Sequence, residues 1–133
     1  MNRIACTLCL FFFACTAAPV VEPTHTSIQA NVYDVSCNAS SCHGADPGEG
    51  NLNLQTETSY SAIVNVAPDD ADAQGDGFLL VDPGNPDNSF LYVTLMAETT
   101  PAYANSMPKG SVLLDAETVD AIRQWIADGA LDN

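Results

Sequence analysis

Apolar residues recur along this chain in short bursts separated by Gly, Pro and Asp, and the bursts are spaced for helices. The clearest comes last. Val119, Ile122, Trp125, Ile126 and Ala130 share one face at helical spacing, Asp115 stands where an N-cap belongs, Glu117 lies in the first turn, and Gly129 is placed to stop the helix. Upstream, Asn85-Pro86-Asp87-Asn88 reads as a helix start, with Asn as the cap and Pro at the first helical position. Phe90, Leu91, Val93, Leu95 and Met96 follow it. A short helix opened by Thr58 or Ser59 carries Tyr60, Ile63 and Val64. Another, capped by Ser27, presents Ile28, Val32 and Val35 and delivers Cys37. Between them Asp46 to Gly50 breaks the chain, and Leu52 and Leu54 stand isolated in a polar loop, so they are expected to point at something buried. There is no pair of alternating strands and no internal repeat. The pattern predicts an all-α fold with long loops.

The N-terminus carries a different signal. Asn2 and Arg3 make a short positive start, and Ile4 to Ala14 is a mostly apolar run, too short to span a bilayer and the right size for a signal-peptide core. It ends Phe12-Phe13-Ala14-Cys15, which resembles a bacterial lipobox, where a small residue precedes a cysteine that is lipidated and becomes the new N-terminus. The expected organisation is a signal peptide over 1–14, a lipid anchor at Cys15 with an extended tether to residue 26, and one domain over 27–133. Ordinary cleavage within Cys15-Thr16-Ala17-Ala18 is the alternative; either route exports the chain. The expected location is the periplasmic face of a bacterial membrane, the outer membrane favoured, or else the soluble periplasm. Thr16 to Thr26 contains two prolines and no apolar period, which predicts an extended tether with His25 as a solvated linker residue.

Charge and cysteine usage narrow the classes. The sequence has 17 acidic residues against three basic ones, a net charge of −14 at pH 7, and Arg3 leaves with the signal peptide. Such a surface disfavours nucleic acid and anionic lipid as direct electrostatic partners and suits solubility or steering toward a basic partner. Of five cysteines, Cys6 and Cys9 leave with the signal peptide and Cys15 is the anchor, so only Cys37 and Cys42 belong to the folded part. One pair is no disulfide framework. Asp69-Asp70-Ala-Asp72-Ala-Gln-Gly-Asp76 resembles the start of a calcium loop, but counting from Asp70 the twelfth position is Val81, where an EF-hand needs a bidentate Glu. It is read as an acidic surface loop.

The chemistry concentrates in Cys37-Asn-Ala-Ser-Ser-Cys42-His43-Gly44. Two thiols and an adjacent imidazole resemble a stretched c-type haem attachment site, with four residues between the cysteines where the usual motif has two. The competing reading is a local Cys37–Cys42 disulfide with His43 as its neighbour, in a haem-free helical lipoprotein serving as a binding or structural module. Zinc is weaker, since two Cys and one His leave a fourth ligand to find. Downstream, Met107 lies in the Pro/Gly-punctuated loop Tyr103 to Gly110, where Pro108 restricts it to an extended backbone. Its thioether is thereby offered from a constrained loop, whereas Met96 reads as helix packing.

The order of N-terminal helix, Cys-His site with glycine, isolated leucines, Pro-Gly-Asn-Pro-Asp-Asn-Ser helix start, Met107-Pro108 loop and closing Trp125-Ile126-Ala-Asp-Gly129-Ala130 helix resembles a class I c-type cytochrome domain. More narrowly, it is similar to small exported bacterial lipoproteins whose haem site has a four-residue spacer. The resemblance runs from about Ser27 to Leu131. It implies one covalent haem c, with Cys37 and Cys42 as thioether residues, His43 as proximal and Met107 as distal iron ligand, and Leu52, Leu54 and Trp125 lining the pocket. It also implies an electron carrier and no enzyme, a peroxidase or sensor role requiring that Met107 does not ligate. The expected partner is a redox protein with a basic docking surface.

Overall fold

The computed structural model describes residues 20–96 and 106–133. Among them the fold is helical and has no strand, only two isolated parallel bridges, Val64–Val81 and Leu79–Ser89. The helices are α1 (His25–Ile28), continuing into a π-helix (Gln29–Cys37), then α2 (Ser59–Ile63), α3 (Ala71–Gly75), α4 (Phe90–Leu95) and α5 (Ala116–Ala127). Among the described residues no helix is long and apolar enough to cross a membrane.

The first helix starts earlier than the sequence pattern indicated. Thr24 is extended and its hydroxyl accepts from the Ser27 N–H at 3.2 Å, so it, and not Ser27, is the cap. Ser27 instead turns its own hydroxyl back to the Glu22 N–H. Residues 21–26, expected to belong to an extended tether, instead join the fold: Val21 packs against the core, and the Thr26 N–H and hydroxyl both donate to the Asn133 main-chain oxygen, at 2.8 and 2.6 Å. His25, expected as a solvated linker residue, is 6% exposed. Its ring packs against Tyr60, Trp125 and Tyr33, at centroid distances of 5.2, 5.7 and 6.4 Å.

Beyond Ile28 the chain winds with i→i+5 bonds, as in Asn38 N–H to Tyr33 O at 2.9 Å. The wider turn changes which residues face inward. Ile28, Val32 and Tyr33 are at most 2% exposed, whereas Val35, which a 3.6-residue period would bury, is 73% exposed. Cys37 comes round in its place and packs against the core.

The middle of the chain is held by caps and bridges. The acidic stretch expected as a loop contains α3, because the Asp70 carboxylate accepts from the Asp72 and Ala73 N–H groups at 3.1 and 2.9 Å. The predicted helix at Asn85 is a single 3-10 turn, Pro86–Asn88; Ser89 then starts α4, its hydroxyl donating to Asn85 O and accepting from the Asp82 N–H, both at 2.9 Å. α5 forms as its pattern predicts. The Asp115 carboxylate caps the Thr118 N–H at 2.8 Å, Ile122, Trp125 and Ile126 are at most 1% exposed, and Gly129 leaves the helix at φ 102°. Each of those three side chains contributes about 1.5–3 kcal/mol by burial. With Ile28, Val32, Tyr33, Leu54, Ile63 and Val81 they form one core fed from both ends of the chain.

Candidate functional site: the Cys37–His43 loop

Cys37 ends the π-helix, and the chain then folds back on itself. The Cys42 and Gly44 N–H groups donate to Ala39 O at 2.8 and 3.1 Å, and the His43 N–H donates to Cys37 O at 3.1 Å. The four-residue spacer is thus taken up as a closed turn that sets His43 against Cys37. Outer bonds pin this turn. Leu54 N–H donates to His43 O at 2.7 Å, Glu49 N–H to Cys42 O at 2.9 Å, and the Gln55 amide to Gly44 O at 2.6 Å.

Two glycines make the winding possible. A Cβ at Gly44 would stand 1.7 Å from Asn38 O, and one at Gly48 would stand 2.1 Å from Leu52 O and 3.0 Å from His43 Cα. Neither position has room for a side chain. Nothing in the spacing of the cysteines announced this requirement, although a glycine directly after the Cys-His pair is its visible trace.

Both thiols are free. Cys37 is half-buried, and burial first, then the neighbouring Cys42, pushes its thiol up to about 11; Cys42 is exposed. Around Cys42 opens a polar cleft of about 280 Å³, lined by Ser40, Gly48, Glu49, Asn51 and Asp69, in which the Asn51 amide donates to the Asp69 carboxylate at 2.8 Å. Among the described residues no group of three or more His, Cys, Asp or Glu side chains is arranged to hold a metal ion.

His43 is half-buried, and its Nδ1 is buried without a hydrogen-bond partner. The Tyr33 hydroxyl is the other such atom among the described residues. Tyr33 is a site neighbour that the sequence reading missed: Cys37 lies one wide turn further along the same helix, and burial, helped by Cys37, holds the phenol well above its ordinary value.

The remaining candidates are placed as follows. Leu54 is 3% exposed and Leu52 half-buried, both packed with the core, and Leu54 is bonded to His43 through the backbone. Trp125 is buried against His25, its Nε1–H donating to Leu131 O at 2.8 Å. Met107 is half-buried and joined to the end of α4, its N–H donating to Thr94 O at 2.8 Å, while Met96 packs against the core. The structure thus brings Cys37, Cys42, His43 and Leu54 together, and Met107 is tied through its backbone to α4. Cys15 lies outside the described residues.

The donor set fits a covalently attached haem on two counts: free thiols at both ends of one closed turn, and an imidazole beside them with a buried ring nitrogen awaiting a partner. The cleft at Cys42 is polar and does not supply the apolar walls a porphyrin needs, so the fit rests on the donors. No protein-family model, curated protein or solved structure matches this chain.

Proposed function

We propose that this chain is an exported monohaem c-type cytochrome that carries electrons and catalyses no reaction of its own. The observation that supports this most is the closed turn in which His43 is bonded to Cys37 through the backbone while both thiols stay free and His43 Nδ1 stays unpartnered.

In this reading Cys37 and Cys42 would hold the haem as thioethers, and His43 and Met107 would supply the ligands to its iron. When bound, the haem supplies a one-electron couple. The chain's own residues do the rest. The Gly44 and Gly48 backbones keep the turn tight enough for imidazole and thiols to act on one group, and Leu54 N–H fixes the His43 carbonyl. Met107, presented from a proline-restricted loop, would exclude other ligands. The acidic surface would meet a basic redox protein in a transient encounter, and Cys15 would hold the domain at a membrane through a lipid.

The test is chemical. After denaturation the exported protein should keep a covalently bound chromophore with a two-thioether pyridine haemochrome spectrum, and Cys42→Ala should shift or abolish it. An intact mass equal to polypeptide with a Cys37–Cys42 disulfide would instead establish the haem-free lipoprotein.

A further inference from the structure

The first turn of α1 and residues 130–133 are tied into one clasp. The His25 N–H donates to the Asn133 side-chain oxygen at 3.1 Å, the Thr26 N–H and hydroxyl to the Asn133 main-chain oxygen, and His25 Nδ1 stands 3.5 Å from Asp132. Behind it the Trp125 indole donates to Leu131 O at 2.8 Å and the Tyr60 hydroxyl to Ala130 O at 3.0 Å. The attachment reaches back to Val21, which packs against the core, and to the Glu22 N–H, which donates to Ser27 Oγ at 2.9 Å. Val20 stands outside it, 74% exposed.

Little chain is left between this clasp and the anchor cysteine. From Cys15 to Val20 is five peptide units, a reach of at most about 18 Å, whereas a tether running to Thr26 would reach about twice as far. A globular domain of this size has a radius of gyration of about 13 Å and is roughly 30 Å across. The longer tether would let any side of the domain touch the bilayer; the shorter one keeps the far side from it. The side within reach is the one that bears the clasp. Beside the clasp lies Val20 and within it Leu131, 59% exposed, two of the exposed large apolar side chains among the described residues. Cys37 is at the other end of the first helix, on the order of 15 Å along its axis from His25.

We propose that the clasp end of the domain is a lipid-contact surface, with Val20 and Leu131 resting on the membrane that holds the Cys15 lipid and the Cys37–His43 loop held away from it, open to a soluble partner. This rests on the reading of Cys15 as the anchor and not on what the two thiols hold. Glu22 and Asp132 stand at the same end and are repelled by anionic headgroups, so the leaflet this surface fits is zwitterionic.

The experiment places the lipidated protein in phosphatidylcholine vesicles, with Cys15→Ser as the soluble reference, and reads side-chain exposure by hydroxyl-radical footprinting. Oxidation of Val20 and Leu131 should fall several-fold against the reference, while Val35, 73% exposed and two residues before Cys37, should react as before. A long Gly/Ser insertion between Cys15 and Thr16 should keep the protein on the vesicles and return both side chains to the soluble rate. Unchanged oxidation of Val20 and Leu131 in vesicle-bound protein overturns the proposal, and so does a fall at Val35, which would lay the site-bearing end of the helix on the lipid. Protein whose intact mass shows no lipid at Cys15 sinks the anchor reading and this one together, whereas lipidated, vesicle-bound protein with Val20 and Leu131 still open to the radical sinks only this one.

Discussion

His25 Nε2 meets Ser59 Oγ at 3.2 Å inside the core, and the direction of that bond follows from the groups behind it. The Gln29 amide nitrogen donates to the Asp34 carboxylate at 2.7 Å and to Leu54 O at 3.0 Å, so its oxygen is left to accept the Ser59 proton. Ser59 can then only accept from His25, which puts an imidazole proton on Nε2, while Nδ1 stands 3.5 Å from the Asp132 carboxylate. Burial holds the ring below the ordinary histidine value, with Asp132 pulling the other way.

Acid should loosen this arrangement. The folded-state value is depressed, so the unfolded chain takes the proton first, near pH 6.5; the contribution of His25 is complete above that pH and is lost as pH falls toward the folded value. Chemical denaturation at several pH values should show stability falling below about pH 6.5, and His25→Gln should flatten that part of the curve while costing about 1–3 kcal/mol at pH 7. An unchanged slope in His25→Gln would assign the effect to other groups.

Gly44→Ala should be among the most damaging single-atom additions to this chain. Its Cβ has Asn38 O at 1.7 Å and Ala39 C at 3.1 Å, both backbone, so the turn itself must open. A loss of about 3 kcal/mol or more is expected, together with reduced covalent haem content. Gly75→Ala, with nothing within 4 Å of the new carbon, is the control and should fall within about 1 kcal/mol of wild type.

Met107 separates electron transfer from ligand chemistry. Ferric protein should show a weak sulfur-to-iron charge-transfer band in the near infrared, and Met107→Ala should remove it, lower the potential and admit cyanide. Met96→Leu should leave all three as they were, since Met96 packs against the core and such a swap costs under about 1.5 kcal/mol. Retention of the band in Met107→Ala would make Met107 a packing residue.

Cys15 makes a prediction about place. If Cys15 carries the lipid, the protein should fractionate with membranes, and Cys15→Ser should release a soluble exported form. Wild-type protein already soluble in the periplasm would show that ordinary cleavage operates at Cys15 to Ala18.

How legible each part was depends on how local its causes are. α5 could be read because its cap, its period and its terminator all lie within sixteen consecutive residues, 115–130, and none depends on the rest of the chain. α1 could not be read in full, because His25 is buried by Ser59, Tyr60 and Trp125, all distant in sequence. The Thr24 cap was nevertheless visible as a hydroxyl residue three before Ser27. Val35 was misplaced because a 3.6-residue period was applied to a segment with a wider turn. At the site, the Cys37-to-His43 grouping was legible as spacing, whereas Gly44 and Gly48 matter through close approaches that only the folded backbone creates.

Trp125 gives the molecule a built-in optical gauge. It is the chain's only tryptophan, 1% exposed, with its indole N–H bonded and its ring against His25. Emission from so dry a site should be blue-shifted in the native state and move to the red on unfolding. Protonation of the adjacent imidazole should dim it before the core opens, and a porphyrin within the same small domain should darken it almost completely. One fluorophore thus reports separately on the state of the core, the charge on His25 and the occupancy of the Cys–His turn.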